Sequence, residues 1–169
     1  LFLDRSMELL EPCSRFNPQI DMDFLHTVVG ELKERIRAGR GDWKWGLCHG
    51  DVYTGNIHRG ERGDLTLFDF DFCGYGWRAY DVASFLGNFG TGVGAEALKK
   101  RKRRLDAFLR GYGRQAGLSD SEVEAVYRVF VPFRRIFNLG YLYDSLANVW
   151  GDRLRSEQMR REALAQGWV

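Results

Sequence analysis

The chain has 169 residues, of which 44% are hydrophobic, 28% charged and 14% aromatic, and its formal net charge is +2. That length allows one domain with a real core, and the aromatic share argues for packing rather than disorder. The small net charge gives no global field to attract nucleic acid or a membrane surface. No apolar run approaches the roughly 20 residues that a bilayer crossing needs, and no secretory signal is visible at the start. Cys13, Cys48 and Cys73 form no paired spacing and read as reduced thiols, which fits a cytoplasmic protein. Cys48, His49 and His58 lack a usual zinc-ligand spacing and give zinc little support.

The first element with a clear period lies at 21–38. Leu25, Val28, Val29, Leu32 and Ile36 recur at helical spacing, and Asp21 or Asp23 can cap the start. "GRGD" at 39–42 ends that helix, and a short apolar piece, "WKWGLCH", leads into a polar loop. "NIHR" and "LTLFDF" read as two short strands, with "GERGD" between them as the turn of a β-hairpin. Helical spacing returns from about Tyr80 to Phe89, until "GNFGTGVG" breaks it. A helix is expected from Ala95 to Tyr112, and helical sequence runs again from Ser119 to Trp150. There Ser119 and Glu122 fit a capping box, and Pro132 should kink or divide the run. "RSEQMRREALAQG" at the end reads as a short amphipathic helix. The expected fold class is α+β and mainly helical, with one small hairpin. It is a single unit over 1–169, with no repeat, low-complexity segment or clear linker.

The polar residues gather around the hairpin. His49-Gly50-Asp51 is followed after four residues by Asn56, and Asp69 comes just past the second strand. Phosphoryl transfer needs one carboxylate to orient the attacking hydroxyl and accept its proton, and oxygen ligands to hold Mg²⁺ against the phosphates. Asp51 suits the first role. Asn56 and Asp69 suit the second, because Mg²⁺ favours hard oxygen donors. A hairpin would return Asp69 to the neighbourhood of Asn56.

"HGDVYTGN" resembles the catalytic loop of the aminoglycoside phosphotransferase and choline kinase superfamily, a variant of the protein-kinase loop H-R-D-x-x-x-x-N with Gly50 in place of arginine. "LFDFDFCGYGWRAYDVASF" is similar to the superfamily's next block: a metal-binding Asp after a strand, a Gly-containing loop, then "YDxA" opening a helix. The close match covers about residues 46–86. The resemblance implies the C-terminal lobe of a protein-kinase-like fold. It makes Asp51 the catalytic base and Asn56 and Asp69 the metal ligands. His49 is implied as a brace for the loop, and Asp81 as a hydrogen-bond partner of loop backbone. The implied cofactors are ATP and Mg²⁺, and the implied acceptor is the hydroxyl of a small molecule. Asp71 competes with Asp69. Period-two alternation would put both on one face of an extended strand, and only the resemblance favours Asp69.

Other features read more plainly. His58 is expected to be a surface histidine on the hairpin, and Cys73 a small loop filler. The basic run from Lys99 to Arg104 suits a solvated helix face better than a nucleic-acid site. Tyr141, Tyr143, Asp144, Asn148 and Trp150 sit where the superfamily's helical lobe supplies an acceptor pocket, although ordinary core and surface positions explain them as well.

The superfamily's nucleotide clamp has no counterpart in this sequence. The 48 residues before His49 read as helix and loop, without a Gly-rich phosphate loop after a strand. The chain also starts at Leu1 rather than methionine. The expectation is therefore a fragment of a longer kinase, lacking the nucleotide-clamping β-lobe and incomplete for activity by itself. Self-association would be a by-product of the uncovered apolar surface. Two alternatives stand beside the small-molecule kinase: a non-catalytic binding module or remnant on a kinase-like scaffold, and a protein Ser/Thr kinase of the same superfamily.

Overall fold

The structure is a computed structural model that describes residues 2–15, 20–87, 95–143 and 164. The chain forms two compact units, Leu1–Ala38 with Pro132–Val169, and Gly39–Val131.

The first unit is helical. Helix α1 (Phe2–Ser14) buries Leu3, Ser6, Met7 and Leu10 on one stripe, and α2 (Met22–Gly39) buries Leu25, Val28, Val29 and Leu32. The start of α2 is capped by Asp21, whose carboxylate accepts the Phe24 N–H at 3.0 Å. In α6 (Val131–Tyr143), Ile136 and Leu139 are buried, and the Phe137 ring meets Phe2 edge-on at 5.8 Å. Gly140 lets α6 approach α1 closely: a Cβ there would lie 2.6 Å from Ser6 Cα. Lys33 of α2 and Asp4 of α1 form an ion pair at the surface. Helix α1 falls in the stretch before His49 whose sequence reads as helix and loop.

The second unit carries the polar loop. Strand β1 (Trp45–Cys48) pairs antiparallel with β4 (Gly74–Trp77), with Trp45 opposite Trp77 and Leu47 opposite Tyr75. Between them, β2 (Ile57–Arg59) and β3 (Leu65–Leu67) form the expected hairpin. Its turn is closed by the Gly60 N–H on the Asp64 carbonyl at 2.9 Å, and Gly63 takes a φ of 85°. The second strand is shorter than "LTLFDF" suggested. It stops at Leu67, because Asp69 adopts a left-handed φ of 64° and the Cys73 N–H returns to the Phe70 carbonyl in a turn. The alternation argument for Asp69 and Asp71 therefore fails: neither residue lies on an extended strand.

Helix α3 (Arg78–Gly87) follows β4 without a loop, and Ala79, Val82 and Ala83 are buried in it. Helix α4 (Ala95–Tyr112) has the expected bounds. Leu105 is buried in it, and Phe108 packs on Phe85 at 5.1 Å and on Tyr112 at 5.6 Å. Lys99, Lys100, Lys102 and Arg103 are exposed, which fits the solvated face expected for the basic run.

The run from Ser119 divides as Pro132 requires. Helix α5 (Asp120–Ala125) starts with the expected capping box of Ser119 and Glu122. A π-helical turn, Val126–Phe130, then leads into α6, with the Val131 N–H bonded to the Val126 carbonyl five residues back. Proline has no N–H to give and crowds the preceding turn, so a widened turn upstream accommodates it without ending the helix. Glu122 is fully buried, and its second oxygen accepts the Lys44 N–H at 2.9 Å. That bond fixes α5 to the entry of β1. Trp43 packs between Trp77 at 5.7 Å and Phe130 at 5.2 Å, which closes the core of this unit. The expected terminal helix lies outside the described residues, except for Leu164.

Candidate active site

The loop after β1 is held by side chains rather than by a sheet. Asp81, in the first turn of α3, accepts the His49 N–H at 2.7 Å on one oxygen and the Gly50 N–H at 2.8 Å on the other. These two amides have no strand to pair with, and a carboxylate satisfies both with charge-assisted bonds. Gly50 has a φ of 83°, and a Cβ there would lie 2.2 Å from the Phe72 carbonyl oxygen. Only glycine permits both that backbone and that approach.

His49 is 7% exposed and bonds on both ring nitrogens. Nδ1 accepts the Asp51 N–H at 3.3 Å, and Nε2 lies 3.1 Å from the Phe68 carbonyl oxygen. Because Nδ1 accepts, the ring proton sits on Nε2 and is donated to Phe68. The ring also packs against Phe70 at 4.5 Å. Asn56, 3% exposed, ends a short 3₁₀ turn, Thr54–Asn56. Its Nδ2 donates to the Asp51 carbonyl at 3.1 Å and to the Asp51 carboxylate at 3.3 Å. Asp51 is thus oriented from two sides, and Asn56 keeps its amide oxygen for another partner.

The second loop is tied to the first by its backbone. The Phe68 N–H donates to the Asn56 carbonyl at 3.2 Å, while the Phe68 carbonyl accepts from His49. Phe72 then closes on Gly50. Asp69 and Asp71 lie on the short stretch between these fixed points, and both are exposed. Asp51, Asn56 and Asp69 therefore belong to one pair of interlocked loops, with His49 and Asp81 underneath. Among the described residues no group of three or more His, Cys, Asp and Glu side chains is arranged to hold a metal ion. The donors that the sequence singled out for a cation are the Asn56 amide oxygen and the exposed Asp69 carboxylate. Two hard oxygen ligands fit Mg²⁺, which retains waters and takes phosphate oxygens to complete its shell.

Cys48 is 5% exposed and turns its thiol towards the Trp77 carbonyl oxygen at 3.5 Å. Burial, with the negative charge of Asp81 adding to it, pushes its pKa up to about 11. His58 is exposed on β2, as expected of a surface histidine, and Cys73 is exposed at the end of the second loop. Of the positions considered for an acceptor pocket, Tyr141 and Tyr143 fall in the last turn of α6, where only the backbone is described. Asp144, Asn148 and Trp150 lie outside the described residues.

The model of the phosphotransferase enzyme family matches residues 7–118. The chain belongs to this family. An uncharacterized protein of Deinococcus radiodurans is 32% identical over 149 residues, which is 84% of this chain and 42% of that protein. The amicoumacin kinase of Bacillus subtilis is 28% identical over 74 residues, 44% of this chain and 22% of the kinase. A solved structure, the amicoumacin kinase hAmiN in complex with AMP-PNP, Ca²⁺ and Ami, superposes with a TM-score of 0.61 at 22% identity, over 89% of this chain and 48% of that one. The fold is that of this phosphotransferase family, and the chain spans less than half the length of each of these relatives.

Sequence reasoning missed β4 and with it the frame of the site. A signal was present: Gly74-Tyr75-Gly76-Trp77 alternates small and large residues, as a strand does, and matches Trp45-Gly46-Leu47-Cys48 in register. The clasp on Phe68 had no signal, since it uses the backbone of an ordinary apolar residue.

Proposed function

We propose that this chain is the catalytic part of an ATP-dependent phosphotransferase acting on the hydroxyl of a small molecule. The observation that carries this reading is the Asp51–Asn56 pair interlocked with the Asp69 loop through Phe68. In the reaction the acceptor oxygen forms a bond to the γ-phosphorus of ATP, and the bond from that phosphorus to the ADP oxygen breaks. Asp51 accepts the proton that the acceptor hydroxyl loses. The Asn56 contact holds the base in one orientation before the acceptor arrives. His49 and Asp81 fix the backbone on which that base stands. Asn56 and Asp69 would hold Mg²⁺, which when bound offsets the negative charge of the phosphates. The hAmiN complex contains a nucleotide analogue and Ca²⁺, which supports a nucleotide and a divalent cation for this chain too.

The proposal includes a separate β-lobe that clamps the nucleotide in the whole protein. The exposed apolar side chains Trp45, Leu47 and Tyr75 support a surface covered by something else, and self-association of the isolated chain would follow from leaving it open. No helix among the described residues is long and apolar enough to cross a membrane, and a cytoplasmic location is part of the same reading.

The test is Asp51→Ala in the complete gene product. Phosphoryl transfer should fall by about 10²–10⁴-fold, the usual weight of a general base, while thermal unfolding changes little. Unchanged turnover would remove Asp51 from the reaction and the proposal with it.

A further inference from the structure

The buried carboxylate of Glu122 does more than its capping box requires. One oxygen accepts the Ser119 N–H at 2.9 Å, which completes the box. The other accepts the Lys44 N–H at 2.9 Å, 78 residues away in sequence. The Lys44 carbonyl in turn accepts the Arg78 N–H at 3.1 Å, where α3 begins. Within the first turn of α3, Asp81 takes the amides of His49 and Gly50. Two carboxylates, each accepting two backbone amides, therefore bracket β1: Glu122 at its entry and Asp81 at its exit. Pairing with β4 fixes the register of β1 poorly. Gly46 stands opposite Gly76, and Trp45 opposite Trp77. Sliding β1 by two residues would set Gly46 against Gly74 and Trp45 against Tyr75, glycine on glycine and aromatic on aromatic once more. Trp45 and Leu47 are exposed, so within β1 burial resists the slip only at Cys48. Such a slip would carry Asp51 roughly 7 Å along the strand direction, away from Asn56.

We infer that Glu122 is a positioning residue for Asp51: from α5 it fixes the entry of β1, and with Asp81 at the exit it sets the register that places Asp51 against Asn56. The inference rests on Asp51 being the base. Glu122 touches no reacting atom. It acts through the Lys44 peptide, whose N–H it holds and whose carbonyl holds the first turn of α3. Freeing that peptide would loosen both the start of β1 and the turn on which Asp81 stands.

The experiment compares Glu122→Gln with Ser119→Ala, which weakens the same capping box but leaves the bond to Lys44 in place. In the 169-residue chain the reporter is the Asn56 side-chain amide in ¹H–¹⁵N NMR, because its Nδ2 donates to Asp51. That resonance should move in Glu122→Gln and stay in Ser119→Ala, whatever each substitution does to the melting temperature. In the complete gene product Glu122→Gln should lower kcat by about 10²-fold, the scale of an ångström's misplacement, with KM for ATP unchanged. Ser119→Ala should leave both constants near those of the wild type. Where circular dichroism shows Glu122→Gln unfolded, Glu122→Asp replaces it and carries the same expectation: it keeps the charge but draws back from Lys44 by one methylene. An Asn56 resonance unmoved in the Glu122 variant, or moved equally by Ser119→Ala, would overturn the inference. So would an unchanged kcat in an enzyme that Asp51→Ala inactivates. The NMR outcome does not depend on the role of Asp51. Turnover that survives Asp51→Ala, beside a moved Asn56 resonance in Glu122→Gln, would discard the base and keep the link from Glu122 to the loop.

Discussion

The two interlocked loops, 48–56 and 68–73, are built in opposite ways. In the first, the residues around Asp51 are enclosed: Cys48, His49 and Asn56 are buried and Asp81 takes two backbone amides, while Asp51 itself is half-buried. In the second, Phe68, Asp69, Phe70, Asp71, Phe72 and Cys73 are all exposed, and the loop is held by backbone bonds and by the packing of Phe70 on His49. The first loop is organised before any substrate arrives. The second is positioned but open, as suits residues that meet ligands or another part of the protein. In the roles proposed for them, a preorganised Asp51 would cost nothing during reaction, whereas an exposed Asp69 would keep access to a cation and its waters.

The strongest way to break this comparison is at the contact between the loops. Gly50→Ala places a Cβ on the Phe72 carbonyl and forces alanine into a left-handed backbone. The left-handed conformation and the overpacking together should cost about 3–5 kcal/mol, read as a lower midpoint in urea unfolding. A loss below about 1 kcal/mol would mean that the loops separate easily and are not interlocked.

Asp81→Ala attacks the first loop alone. Two amides, His49 and Gly50, lose their acceptor, at about 2–4 kcal/mol for the pair. Hydrogen exchange should accelerate at His49 and Gly50, while the hairpin amide of Gly60 keeps its protection. Equal acceleration in both places would show that the loop and the hairpin open as one unit.

The second loop is sharpened at Asp69, whose φ of 64° is unusual for a residue with a side chain. Asparagine tolerates that conformation and a β-branched residue does not. Asp69→Asn should leave stability nearly unchanged and weaken binding of a divalent ion, measured by calorimetry with Mn²⁺ in the presence of a nucleotide analogue. Asp69→Val should cost about 1–2 kcal/mol in stability as well. Equal cation affinity in wild type and Asp69→Asn would move the metal role elsewhere, with Asp71 the next candidate.

The helices were legible because burial imposes a period. Leu25, Val28, Val29 and Leu32 mark α2 in the sequence and are buried in the structure, and Asp21 caps it. The hairpin was legible from its turn residues. The β1–β4 sheet was not, because Gly74 and Gly76 stand at every second position of β4 and Gly46 at one position of β1, and glycines carry no hydrophobic signal. The turn at 70–73 was missed for a related reason: Phe70, Asp71 and Phe72 alternate like a strand, and nothing local reveals that Asp69 turns the chain. That conformation depends on bonds to Asn56 and His49, which are distant in sequence. At the site, residue types and spacing were enough to single out Asp51 and Asn56, and the resemblance favoured Asp69 over Asp71. The resemblance supplied the supporting places of His49 and Asp81. The tautomer of His49 needed coordinates.

The two cysteines give the mildest test of the same contrast. Cys48 closes β1 with its thiol against the Trp77 carbonyl, and Cys73 ends the second loop in solvent. Burial holds Cys48 protonated, with Asp81 opposing the thiolate further, so that its pKa rises from 9.0 to about 11. The sign follows from the proton: the folded state binds it more tightly than the unfolded chain. The stability this contributes is complete below pH 9.0 and is lost as pH rises through about 11. At pH 8 iodoacetamide should therefore modify Cys73 while sparing Cys48, because the thiolate is the nucleophile and the Cys48 thiolate is both rare and covered. Mass spectrometry of the labelled chain reads this directly. Raising the pH to 10.5 should expose Cys48 to labelling as the fold loosens, and mild urea at pH 8 should do the same by opening β1 from β4. Equal labelling of both thiols at pH 8 without denaturant would show that the first loop opens readily. Asp51 would then lack the rigid footing that distinguishes its loop from the open second loop.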